Sequence, residues 1–172
     1  MRIRYAVAFG VALVVPCAGV AEAAPGDTTV TFSVTSGSLS IAVPASAALG
    51  SALPGNTVTA QLGTVTVTDA RALLTAAWTA SVTSTSFKTG GGTAPETIAT
   101  SAVSYWSGAA TSTTGTATFT PGQATAGAAQ TMTSSRTAFS ATAGVGNNTA
   151  AWNPHSSSRS PPAQWAAATP ER

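Results

Sequence analysis

The sequence predicts an all-β chain folded as two stacked sheets, and three observations carry that prediction. Apolar and hydroxyl-bearing residues alternate with period two through most of the chain, as in Val30-Thr31-Phe32-Ser33-Val34, which places one apolar face inward. Glycine and proline pairs break this pattern into short runs, and no segment after the first two dozen residues shows the three-to-four spacing of an amphipathic helix. Charged residues make up only 7% of the 172 residues, against roughly a quarter in ordinary globular chains. Threonine and serine take their place. Threonine is β-branched, suits strands, and still offers water a hydroxyl group.

The elements follow in order. Val30 to Val34 reads as the first strand, Ser36-Gly37 as a tight turn, and Leu39, Ile41 and Val43 as the inward face of a second strand, so the two form a hairpin. Pro44 ends it, and the stretch to Asn56 is a loop. Val58, Ala60 and Leu62 start the next strand. Gly63 marks a bulge or a sheet-to-sheet corner, and Val65 and Val67 continue the run to Asp69. Alternation breaks over Ala70 to Leu74 and resumes at Trp78, which should lie in the core with Ala80 and Val82. Lys88 to Pro95 is a glycine-rich loop, Ile98 to Trp106 a strand region, and Ala117 to Thr120 a strand closed by Pro121-Gly122. Thr131 to Ser135 and Phe139 to Ala143 are further strands, Gly144 to Asn148 a loop, and Ala150 to Trp152 the entrance to another strand. Many short strands joined by turns indicate an immunoglobulin-like two-sheet β-sandwich with Greek-key connections.

The N-terminus reads as an export signal over residues 1–23. Arg2 and Arg4 precede an apolar run from Tyr5 to Val15, too short to span a bilayer, and Ala21-Glu22-Ala23 supplies the small residues of a cleavage site. Cys17 falls within this signal, and Pro16 stands where lipidation wants a small residue. The mature chain would therefore hold no cysteine, which leaves no disulfide or thiolate and makes packing its source of stability. The expected location is secreted, either extracellular or associated with the cell wall, without a transmembrane segment in the mature chain.

Function classes narrow accordingly. In the body of the chain Arg71, Lys88 and Arg136 balance Asp27, Asp69 and Glu96, so there is no basic stripe for nucleic acid. His155 is the only histidine, and the three carboxylates fall in separate turns, which leaves no convergent acid, base and nucleophile and no metal-ligand cluster. The expectation is a protein that is not an enzyme and carries no cofactor. Four residues are candidates for contact with a glycan or a protein partner. Tyr105 and Trp106 are adjacent in a strand, so one ring points inward and the other outward, where it could stack on a sugar face. Asp69 and Arg71 flank a corner, where they could pair with each other or meet a charged ligand group. Leu53-Pro54-Gly55-Asn56-Thr57 has the wrong residue order for a sortase signal.

From His155 the composition changes to serine, arginine, proline and alanine without alternation, and residues 155–172 read as a disordered tail after a domain spanning 24–154. Read with the last base of each codon joined to the first two of the next, permitted codons turn the tail into Leu-Val-Val-Ala-Val-Pro-Ala-Ser and onward. That is a strand and a loop, as expected of a reading-frame shift after Pro154.

Val65-Thr66-Val67-Thr68-Asp69-Ala70-Arg71 followed by Trp78-Thr79 resembles the WxL family of cell-surface domains over most of residues 28 to 153. Ser104 to Gly108 and Thr142-Ala143-Gly144 leading to Trp152-Asn153-Pro154 add to the resemblance. Ala80 stands where the family's motif has leucine, and a second Trp-x-Leu motif is absent, so the chain looks like a divergent member. The resemblance implies export, non-covalent association with peptidoglycan, and work alongside other surface proteins. An adhesin-like carbohydrate-binding module that recognises an external polysaccharide is the alternative.

Overall fold

The computed structural model describes residues 31–161, apart from 34, 36 and 89. The expected signal segment and residues 162–172 lie outside the described residues. Contacts divide the chain into two units, Met1–Thr35 and Ser36–Arg172. In the first unit, residues 31–33 and 35 adopt no strand, contrary to the first strand expected; Val30 and Val34 lie outside the described residues.

The second unit is all-β. Its strands are β1 (Leu39–Ala42), β2 (Thr57–Gln61), β3 (Val65–Val82), β4 (Phe87–Lys88), β5 (Thr97–Ile98) and β6 (Val103–Trp106). They continue with β7 (Ala110–Thr114), β8 (Thr118–Pro121), β9 (Gln130–Thr131), β10 (Arg136–Trp152) and β11 (His155–Arg159). The first sheet runs β1-β3-β10-β7, with β8 also on β10; the second runs β2-β11-β6-β9; β4 and β5 form a separate ribbon. All pairings are antiparallel. Among the described residues no helix is long and apolar enough to cross a membrane.

The two main sheets share one core. Val67, Trp78, Phe139, Ala141, Ala150 and Trp152 of the first sheet meet Val103 and Tyr105 of the second. Trp152 stacks on Phe139 with ring centroids 4.7 Å apart and on Trp78 at 6.4 Å. Trp78 and Trp152 are therefore core residues, as their place in alternating runs predicts. Gly63 lies where the chain leaves the second sheet for the first; its φ of 88° suits glycine, and a Cβ there would come within 2.7 Å of Pro44.

Three further expectations are corrected. The interruption after Asp69 and the loop at Gly144 to Asn148 are instead the bent middles of two long strands, 18 residues in β3 and 17 in β10. Register shifts between Ala141 and Asn148, with Ala72 and Ala143 at φ near 53° and 55°, mark bulges that bend the ladder without ending it. Next, β1 pairs with β3, Ile41 opposite Val67, and not with the segment before it. Its apolar residues stay open: Leu39 is 42% exposed, Ile41 55% and Val43 63%.

Finally, the domain does not stop at Pro154. His155–Arg159 forms β11, between β2 and β6 in the second sheet, where pairing with strands on both sides outweighs a composition poor in strand formers. Ser156 and Ser158 point into the core and are buried. Ser156 Oγ donates to Ser104 O at 3.2 Å, whereas Ser158 Oγ has no partner among the described residues.

Candidate functional site

Asp69 and Arg71 form a structural pair. Asp69 is fully buried, and its carboxylate accepts hydrogen bonds from Arg71 Nε at 2.9 Å and Nη2 at 2.8 Å, and from the Arg71 backbone N–H at 3.1 Å. Arg71 Nη2 also donates to Ala77 O at 3.0 Å, which ties the two sides of the β3 bulge together. Hydrogen bonding from Arg71 holds the Asp69 carboxyl below the usual carboxylate range, against the opposing effect of burial. With its carboxylate so fully engaged, Asp69 is closed to a ligand.

Tyr105 and Trp106 divide between the faces of β6 as adjacent strand residues must. Tyr105 is buried in the core, and burial pushes its phenol above the ordinary tyrosine value. Trp106 lies on the outer face, half-buried, its ring stacked on His155 at 4.9 Å with the planes 6° apart. His155 is also opposite Gln61 of β2, so one row across the second sheet reads Gln61, His155, Trp106. Asn153 Nδ2 donates to Gln61 Oε1 at 3.0 Å and holds that amide in place.

The rows beside it continue the same face. Thr59, Ser157 and Ser104 lie across from one another, followed by Thr57 opposite Arg159. Thr57, Ser104, Ser157 and Arg159, with Ser101 and Ala102, line a shallow groove of 380 Å³. Arg159 Nε donates to Gly55 O at 3.3 Å, and among the described residues its terminal nitrogens have no acceptor. From His155 to Arg159 the face measures about 13 Å at the usual strand rise. An aromatic and amide row at one end, a band of hydroxyls, and a guanidinium at the other together make a flat surface rich in donors and acceptors.

Of the four residues predicted from sequence, only Trp106 lies on this face. His155, Ser157, Arg159 and Gln61 were not predicted, since the strand that supplies three of them carries serine on both sides and gives no alternation to read. Glu96 is taken up by the Thr93 N–H at 3.0 Å and hydroxyl at 2.8 Å, which hold its carboxyl below the usual range. Among the described residues no three histidine, cysteine or acidic side chains come together. In comparisons with known proteins, the chain matches no family model, no curated protein and no solved structure.

Proposed function

We propose that this is a secreted, non-catalytic cell-surface protein of WxL-like type that associates non-covalently with cell-wall glycan through the outer face of its second sheet. The observation that carries this reading is the Trp106–His155 stack set beside a band of serine and threonine hydroxyls. The apolar C–H face of a pyranose packs on a flat ring, while its hydroxyls exchange hydrogen bonds with side chains of the same kind. The immunoglobulin-like connectivity and the export signal are part of the same proposal.

The expected outcome is retention of the protein by purified peptidoglycan without release of soluble fragments. Trp106→Ala should lower that retention about tenfold, the loss of roughly 1.4 kcal/mol, while leaving the melting temperature within a few degrees. Retention unchanged by this substitution would exclude the face, and released fragments would exclude a non-catalytic role. The same surface chemistry also suits an adhesin-like module for an external polysaccharide; a glycan array on which wall fragments fail and another polysaccharide binds would favour that reading.

A further inference from the structure

Among the described residues, the outer face of the second sheet carries a cation and no carboxylate. Residues 31–161 hold four cationic side chains, Arg71, Lys88, Arg136 and Arg159, against two carboxylates, Asp69 and Glu96. Both carboxylates are engaged elsewhere. Asp69 is buried against Arg71 in the single ion pair among the described residues, and Glu96 is held by Thr93. Lys88 belongs to the separate β4–β5 ribbon. Arg159 stands on the face itself, while Arg136 Nε donates to Thr131 O at 2.9 Å at the β9 margin of the sheet, where Thr131 lies opposite Ser104.

Arg159 is held in position from several sides. It lies opposite Thr57, its Nε donates to Gly55 O, Ser160 N donates to Asn56 O at 2.9 Å, and Gly55 N donates to Pro161 O at 3.0 Å. With Nε engaged, the two terminal nitrogens form the edge of the guanidinium fork that fits a carboxylate through two parallel hydrogen bonds. Thr57, Ser157 and Ser104 line the groove beside it, and Ser157 and Ser104 lie one row from His155 and Trp106 on the same face.

Resting on the glycan reading above, we infer that the polymer this face prefers is acidic: a carboxylate borne by the glycan pairs with the Arg159 guanidinium while another unit of the same chain lies on the Trp106 ring. A neutral glycan offers the guanidinium only hydroxyls, whereas a carboxylate forms charge-assisted bonds with no acid on the face to compete for them. The pattern of charge also selects carboxylate over a phosphate polymer. A chain with a phosphate in every repeat calls for a stripe of cations; here one guanidinium ends a band of neutral hydroxyls, which suits isolated charges among neutral sugars. Two sources supply that chemistry, the muramyl and peptide carboxylates of peptidoglycan and the uronic acids of an external polysaccharide.

The test is retention of the purified protein on peptidoglycan before and after its carboxyl groups are capped with a neutral amine, and on chitin, hyaluronan and poly(glycerol phosphate). Capping should lower retention about tenfold. Arg159→Gln should lower retention on uncapped peptidoglycan by the same factor and make the capped and uncapped polymers equivalent, with an unchanged melting temperature. Added salt should weaken the wild-type protein more than the variant. Retention by hyaluronan and not by peptidoglycan, lost in Arg159→Gln, would support the inference and assign the carboxylate to a uronic acid. Equal retention on capped and uncapped peptidoglycan, still abolished by Trp106→Ala, would overturn the acidic preference and leave the glycan reading standing. An Arg159→Gln variant as sensitive to capping as the wild type, or stronger retention on poly(glycerol phosphate) than on either carboxylated polymer, would also overturn it. Retention on none of the polymers would remove the glycan reading and this inference together.

Discussion

The two main sheets are built by opposite means. The first depends on two long strands, β3 and β10, whose pairing runs from Val82 opposite Arg136 to Val65 opposite Trp152. The second is assembled from runs of two to five residues drawn from four separate parts of the chain. The large core rings follow the same division: Trp78, Phe139 and Trp152 all belong to the first sheet, while the second contributes Tyr105 and a strand whose core-facing residues are Ser156 and Ser158. Stability is thus concentrated in one layer, and the other can present a polar outer surface without carrying the bulk of the core.

This division can be broken most severely at Trp152, which is 1% exposed and stacked between two rings. Trp152→Ala should cost about 3–5 kcal/mol, a large part of the margin of a small domain, and chemical denaturation would measure it. A loss below about 1 kcal/mol would mean that the first sheet is not the seat of stability.

The Asp69–Arg71 pair gives the next largest effect. Because the Asp69 carboxyl lies below its unfolded value, near 3.9, its contribution is fully present above that value. It is lost as the pH falls through the lower, folded value. Arg71, raised by the same contact, stays charged throughout this range. Asp69→Asn should therefore lower stability by about 2 kcal/mol at neutral pH and flatten the acid limb of a melting-temperature profile against pH. An acid limb of undiminished slope would locate the pH dependence elsewhere.

The smallest effect has the opposite sign and tests the second sheet. Ser158 is 2% exposed and its hydroxyl has no partner among the described residues, so Ser158→Ala should raise stability by about 1 kcal/mol. A lower melting temperature would show that the hydroxyl is satisfied.

Sequence reading succeeded where a signal is local. Period-two runs gave the all-β fold and the burial of Trp78 and Trp152, Gly63 marked a bulge or a corner and proves to be the crossing between sheets, and adjacency in one strand gave the split between Tyr105 and Trp106. It failed where structure depends on distant partners. Ala72 and Ala143 adopt backbone angles that alanine does not advertise, so bent strands read as breaks. β11 was hidden because hydroxyls on both faces leave no pattern, and only the neighbours β2 and β6 make that segment a strand. The exposure of Leu39, Ile41 and Val43 was equally illegible, since alternation shows that a face is apolar but not whether another layer reaches far enough to cover it.

The long ladder between β3 and β10 also governs timing. Every one of its pairings joins residues more than fifty positions apart, so this ladder cannot form until residues 136–152 have been synthesised, and of the first sheet only the β1–β3 pairing can precede it. Such remote contacts make for slow, late folding.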